Sequence, residues 1–226
     1  AGQASVAASW REPKHTFDLN AVGALNLLEA VASQARDCYL LCLSSAEVYG
    51  APEPPALPLA EEAPVRPLSP YGSSKVAMEV LVGQYARSHG VRAGIVRAFN
   101  QIGPGQSQEF VASSLSRQIA EAELRGGDRL EMTVGTVSAG RDFTDIRDRA
   151  RAYVAMVEKG LTGTYNLCSG AALTIEELIE QMGSCSRLAV EIEVDPALVR
   201  PSDPPLVVGS SRRLREETGW RPRISI

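Results

Sequence analysis

Apolar residues recur at helical spacing over residues 16–35, and the unbroken apolar run at 39–43 that follows reads as a strand buried on both faces of a parallel sheet. The pattern then repeats. Residues 69–89 form a predicted helix, with Pro70 in its first turn and Gly90 as its stop, and residues 91–99 form the next strand. Between the two units, residues 51–68 hold six prolines and read as a surface loop. Helix, strand, helix, strand is the order of a doubly wound α/β sheet with right-handed connections. Ligands of such sheets bind at the carboxyl ends of the strands. Here those ends are residues 44–47 and 99–105.

The second half is less regular. A helix is predicted over 108–125, before Gly126-Gly127, and a hairpin over 130–142. A helix over 145–159 is stopped by Gly160 and followed by a strand at 164–168. Thr174 and Glu177 form a capping box for another helix. A short strand at 190–194 and a last helix at 210–218 complete the chain. The expected organisation is a dinucleotide-binding unit over 1–103 and a smaller α+β lobe over 104–226, with 145–170 returning to the first sheet.

Composition narrows the classes. The chain has 226 residues, 44% hydrophobic and 22% charged, which fits an ordinary globular protein. At roughly 150 residues per domain that is one domain and a half. No apolar run is long enough to span a bilayer, and no signal-peptide pattern opens the sequence. A net charge of −4 argues against nucleic acid and anionic membranes as partners. Cys38, Cys42, Cys168 and Cys185 form no metal-binding spacing and no expected disulfide, and a cytoplasmic location is expected. With only His15 and His89, a histidine metal site or a Ser-His-Asp triad has little to draw on. Three of the 23 basic residues are lysines, leaving 20 arginines, so a lysine in a special position stands out.

Lys75 is in such a position. It lies four residues after Tyr71, which places both on one face of the predicted helix. A free phenol, with a pKa near 10, is a poor proton carrier at neutral pH. A nearby ammonium favours the phenolate and is expected to lower that value. Tyr71 could then exchange a proton with a hydroxyl or carbonyl. The pair alone is weak evidence, since an exposed helical pair would look the same. The buried strand ending in Ser44-Ser45-Ala46-Glu47 changes the balance, because a hydroxyl from Ser45 can join the pair.

With these motifs the chain resembles the extended short-chain dehydrogenase/reductase family of nucleotide-sugar epimerases, dehydratases and reductases. Asn20 in Asp18-Leu19-Asn20-Ala21-Val22-Gly23 matches a family helix motif, and the opening residues resemble the stretch before it. The resemblance implies NAD(P) as cofactor, bound in part by Tyr71, Lys75, Asn20 and Ala98. It implies Tyr71 as proton donor or acceptor, Lys75 as a ligand of the nicotinamide ribose, and Ser45 as the group that holds the substrate oxygen. A structural role for Asn20 is an equal reading. Glu47 stands where the family's 4,6-dehydratases carry an acid that acts as base in water elimination, and a solvated carboxylate is an equal reading.

The stretch from Arg97 through Asn100-Gln101-Ile102-Gly103-Pro104-Gly105-Gln106 to Phe110-Val111 resembles that of the GDP-4-keto-6-deoxy-mannose reductases, with Gln101 in place of the usual His. Asn100 and Val111 are accordingly expected to bind substrate. Arg141, in Arg141-Asp142-Phe143, and Arg200 with Asp203, in Arg200-Pro201-Ser202-Asp203, match further family segments, and Arg117 follows the Gly-Pro-Gly turn. Guanidinium groups suit a nucleoside diphosphate; for Arg117 a surface role is an open alternative.

The resemblance implies reduction of GDP-4-keto-6-deoxy-mannose to GDP-rhamnose or a related GDP-6-deoxyhexose, with a GDP-mannose 4,6-dehydratase as the alternative. It also implies a homodimer paired through the helices containing Asn20 and Tyr71. The glycine-rich turn that cradles a dinucleotide in such folds is not in the sequence. The chain is therefore expected to lack the first two or so βα units, roughly 60–90 residues at about 30 per unit. This leaves a non-catalytic nucleotide-sugar-binding fragment as a reading of another class.

Overall fold

A computed structural model describes residues 2–53, 56–199 and 204–226. Its central sheet is parallel, with strands in the order 39–45, 92–98, 163–167. Strand β1 (Tyr39–Ser45) pairs along its whole length with β2 (Arg92–Ala98), bringing Ser45 opposite Ala98. β6 (Gly163–Leu167) pairs with the other edge of β2. Helices cover both faces, as the α/β class requires. On one side α3 (Gly23–Gln34) and α4 (Pro70–His89) bury Leu28, Val31, Met78, Val82 and Tyr85 against Ala93 and Ile95. On the other, α6 (Ile146–Lys159) and α8 (Arg212–Thr218) bury Ala152, Met156 and Leu214 against Val96 and Leu167. Adjacent β2 residues thus serve opposite cores, which is why its centre, 93–96, is apolar on both faces.

Local sequence sets the helix ends. Ser69 caps α4 by accepting from the Gly72 N–H at 3.0 Å, and Gly90 ends the helix in the left-handed conformation at φ 69°. The helix expected over 16–35 is in fact compound. After α1 (Val6–Arg11), α2 (Pro13–Phe17) runs through a π-helical turn at Asp18–Val22 into α3. A 3.6-residue period does not reveal one inserted residue. That turn buries Asn20.

The hairpin expected over 130–142 does not exist. β4 (Arg129–Val134) pairs in parallel with β8 (Ala189–Val194). β5 (Gly140–Asp145) belongs to another sheet, with β3 (Asn100–Ile102) and β9 (Leu206–Val207) parallel to it and β7 (Ala172–Thr174) antiparallel. The alternation in β4 announced one buried face but could not name a partner so distant in sequence. Helices α5 (Val111–Leu124) and α7 (Ile175–Ser184) close this core around Leu115, Ile119, Met132 and Leu178. The capping box of Thr174 and Glu177 forms as expected.

Two buried aspartates fasten the layers. Asp142 accepts from the Ser169 N–H and hydroxyl and from the Gly170 and Gly209 N–H groups, at 2.7, 2.6, 3.0 and 3.3 Å. Asp148 accepts from the backbone N–H groups of Arg223 (2.8 Å) and Ile224 (2.9 Å) and pairs with Arg151. Burial alone would raise the Asp148 pKa, but these donors outweigh it and hold the carboxyl below its ordinary 3.8. A depressed carboxylate contributes stability that is fully present above the unfolded value and is lost as the pH falls through the folded one. Urea unfolding of the wild type and Asp148→Asn across acid pH is therefore expected to show a stability gap that is constant above about pH 5 and narrows below 3.8. A gap independent of pH would refute this role.

Candidate functional site

A cleft of about 1470 Å³ opens at the carboxyl ends of β1 and β2. Its lining includes Ser45, Glu47, Tyr71 and Lys75, and also Asn100, Val111 and Arg141. Asn20, from the π-helical turn, and Ala98 also line it. Chain topology accounts for the convergence. Ser45 ends β1, and its hydroxyl accepts from the Glu47 N–H at 3.2 Å, starting the short 3₁₀ turn Ala46–Tyr49. The first turn of α4 lies directly on that turn. A Cβ on Gly72 would stand 2.7 Å from the Glu47 carbonyl oxygen, so only glycine allows this approach. Tyr71 is thereby delivered close enough to Ser45 for the serine hydroxyl to act on its phenol.

The Tyr71 side chain is buried, at 8% exposure. Burial pushes its phenol up to about 12; the Ser45 hydroxyl and the Arg149 charge pull it down, and Glu47 and Tyr153 push it up. This corrects the expected lowering by Lys75. The Lys75 ammonium lies over the ring, 5.7 Å from its centroid, and donates to the Leu43 carbonyl at 2.9 Å. Burial lowers the pKa of Lys75 itself. At neutral pH Tyr71 is a proton-loaded phenol.

Behind the site is a polar frame that the sequence did not announce. Arg97 grips Glu79 through Nε and Nη2, at 3.0 and 2.7 Å, and donates from Nη1 to the Tyr49 hydroxyl (3.1 Å) and the Glu61 carbonyl (2.9 Å). Ser44 donates to the same Glu79 carboxylate at 2.5 Å. The frame joins the end of β1 to α4, two turns beyond Tyr71. Burial works against the Arg97 charge, but the Glu79 carboxylate and Tyr49 outweigh it and hold the guanidinium above its ordinary value.

The other expected residues divide. The Asn20 amide donates to the Gln3 carbonyl and to the Ser74 hydroxyl, both at 3.0 Å, and its oxygen accepts from the Gln3 N–H at 3.0 Å. In this structure it ties residue 3 to α4. Arg141 donates to the Gly140 and Pro204 carbonyls at 2.9 and 2.8 Å. Arg117 is not among the residues lining the cleft; it lies on the outer face of α5, paired with Glu121 and donating to Gln108. Arg200 and Asp203 lie outside the described residues.

Sequence reasoning missed Arg149, which lines the cleft although it is only 4% exposed. The signal was present: Arg149, Ala152, Tyr153 and Met156 follow helical spacing, so an arginine sits within the apolar stripe of α6.

Comparison with known proteins agrees with the α/β fold. The chain is 40% identical to the GDP-6-deoxy-D-mannose reductase of Pseudomonas aeruginosa, over 100% of its own length and 74% of that protein. The structure of RMD from P. aeruginosa complexed with NADPH superposes with a TM-score of 0.91 at 38% identity, over 100% of this chain and 75% of that one. The UDP-glucose 4-epimerase of Thermus thermophilus, solved with NAD, superposes at 0.88 with 30% identity, over 100% of this chain and 72% of that one. The model of the GDP-mannose 4,6 dehydratase family matches residues 1–226, and the chain belongs to that family.

Proposed function

We propose that the chain is an NAD(P)-dependent nucleotide-sugar reductase that converts the C4 ketone of GDP-4-keto-6-deoxy-mannose to an alcohol, giving GDP-rhamnose or a related GDP-6-deoxyhexose. The observation that carries this reading is the buried, proton-loaded Tyr71, which lines the cleft together with Ser45 and Lys75. A ketone reduction needs a proton donor at the carbonyl oxygen, and a neutral phenol is the donating form. Relatives with the same fold, named as a GDP-6-deoxy-D-mannose reductase and solved with NADPH, support it.

The residues present suit the nicotinamide end of the cofactor. An ammonium has three donors, and Lys75 gives one to Leu43, which leaves two for ribose hydroxyls. Reduced nicotinamide supplies hydride when bound. The chain's own part is to orient and protonate. The Ser45 hydroxyl and the Tyr71 phenol hold the ketone oxygen between them, and Tyr71 gives it a proton. The Lys75 charge steadies the phenolate left behind. Asn100, Val111 and Arg141 would hold the rest of the GDP-sugar, together with Arg200 and Asp203; the guanidinium groups suit its phosphates. The Rossmann-like unit over 1–103 would carry the chemistry, and the lobe over 104–226 would hold the nucleotide, with 145–170 returning to the sheet.

A GDP-mannose 4,6-dehydratase is the second reading, and Glu47 is what favours it: its carboxylate lines the cleft close enough to act on the Tyr71 phenol. The two separate in one experiment. The protein with NADPH and GDP-4-keto-6-deoxy-mannose is expected to consume NADPH and form a GDP-6-deoxyhexose. Consumption of GDP-mannose without added reductant would sink the reductase reading. The described cysteines are all free thiols, which suits a reducing cytoplasm. A homodimer through the helices carrying Asn20 and Tyr71 fits the exposed Val22 and Val80 on them.

A further inference from the structure

Arg149 is out of place for an ordinary arginine. It is 4% exposed, yet no carboxylate among the described residues forms an ion pair with it. A buried charge without a counter-ion is costly and persists where something repays it. Its contacts are neutral: Nη1 donates to the Gln101 side-chain oxygen at 2.6 Å, and Nη2 donates to the Phe99 carbonyl. Its buried Nε has no partner among the described residues. Asp142, a carboxylate whose field reaches it, already accepts from Ser169, Gly170 and Gly209.

The location supplies the purpose. Phe99 follows Ala98, which lies opposite Ser45 across the sheet. Arg149 therefore grips the backbone one residue from the partner of Ser45, and it lines the same cleft as Tyr71. We propose that Arg149 is a positioning residue of the Tyr71 centre, a second cation besides Lys75 whose charge stabilises the phenolate that forms when Tyr71 releases its proton. The proposal rests on the reading of Tyr71 as proton donor.

The groups acting on Tyr71 come from three elements. Ser45 ends β1 and Glu47 follows it, Lys75 shares α4, and Arg149 and Tyr153 belong to α6 and line the same cleft. Arg149 in turn feels Tyr71, Tyr153, Asp142 and Cys168. Of the groups on Tyr71, Glu47 opposes the phenolate and Arg149 favours it. The phenolate carries the charge, so removing a nearby cation raises the pKa of the phenol and removing a nearby anion lowers it.

Fluorine NMR of fluorotyrosine-labelled protein tests this without turnover, with Tyr71→Phe assigning the resonance among the six tyrosines. Arg149→Gln is expected to raise the titration midpoint of Tyr71 by about one pH unit, and Glu47→Gln to lower it. Arg149→Lys, which keeps the cation, is expected to stay near the wild type. Arg149→Met serves as the neutral variant if the Gln variant fails to fold. A midpoint unmoved by the neutral variant, or moved equally by Lys, overturns the proposal. If the midpoint moves as expected while the protein fails to reduce the keto-sugar, the electrostatic coupling stands and the reductase reading falls.

Discussion

Replacing Tyr71 by Phe is expected to reduce turnover of the keto-sugar by about 10²–10⁴-fold, the usual contribution of a positioned proton donor. Binding of the GDP-sugar is expected to stay near the wild-type value. The separation follows from where the hydroxyl sits. The ring is buried in the first turn of α4 and keeps its packing in the variant. What is lost is the proton and the hydroxyl that acts beside Ser45. The residues expected to contact the nucleotide, Asn100, Val111 and Arg141, are unchanged in the variant. Steady-state kcat for the keto-sugar, set beside calorimetric titration with GDP-mannose, measures both quantities. A variant that keeps most of its turnover would show that the proton comes from another group.

The largest effect on stability is expected at the frame behind the site. Arg97 and Glu79 are 8% and 10% exposed in their side chains. Removing one partner of such a pair leaves an uncompensated buried charge and costs about 3–5 kcal/mol. Glu79→Ala is therefore expected to lose that amount in urea unfolding. A double replacement of both residues by Met is expected to recover most of it, because apolar side chains of similar volume replace buried ion pairs at little net cost. Ser44 loses its acceptor in either variant, so the Ser45 hydroxyl should be held less firmly and kcat should fall even where stability returns. A single variant losing under about 1 kcal/mol would place the pair with weakly coupled surface bridges instead.

The amino-acid sequence by itself determined the α/β alternation, because the strands carry apolar centres, 40–43 in β1 and 93–96 in β2, between segments with helical spacing, although Leu43 of β1 is 43% exposed rather than buried. It also determined the ends of α4, through Ser69, Pro70 and Gly90, and the one face shared by Tyr71 and Lys75. These are consequences of chemistry within a few residues. The tertiary structure decided everything that depended on distant partners. It set β4 beside β8 and β5 among β3, β7 and β9, where alternation had suggested a hairpin. It turned Arg117 outward, since a cation on an amphipathic helix belongs to the cleft or the surface according to how the helix lies. It reversed the expected balance at Tyr71. Spacing along a helix promised that a lysine charge would act on the phenol, but the degree of burial is a property of the packed molecule, and there burial outweighs the charge. Arg97 and Arg149 show the same limit. Each is an arginine among 20 in the sequence, and only packing made one the counter-ion of Glu79 and left the other a buried cation lining the cleft.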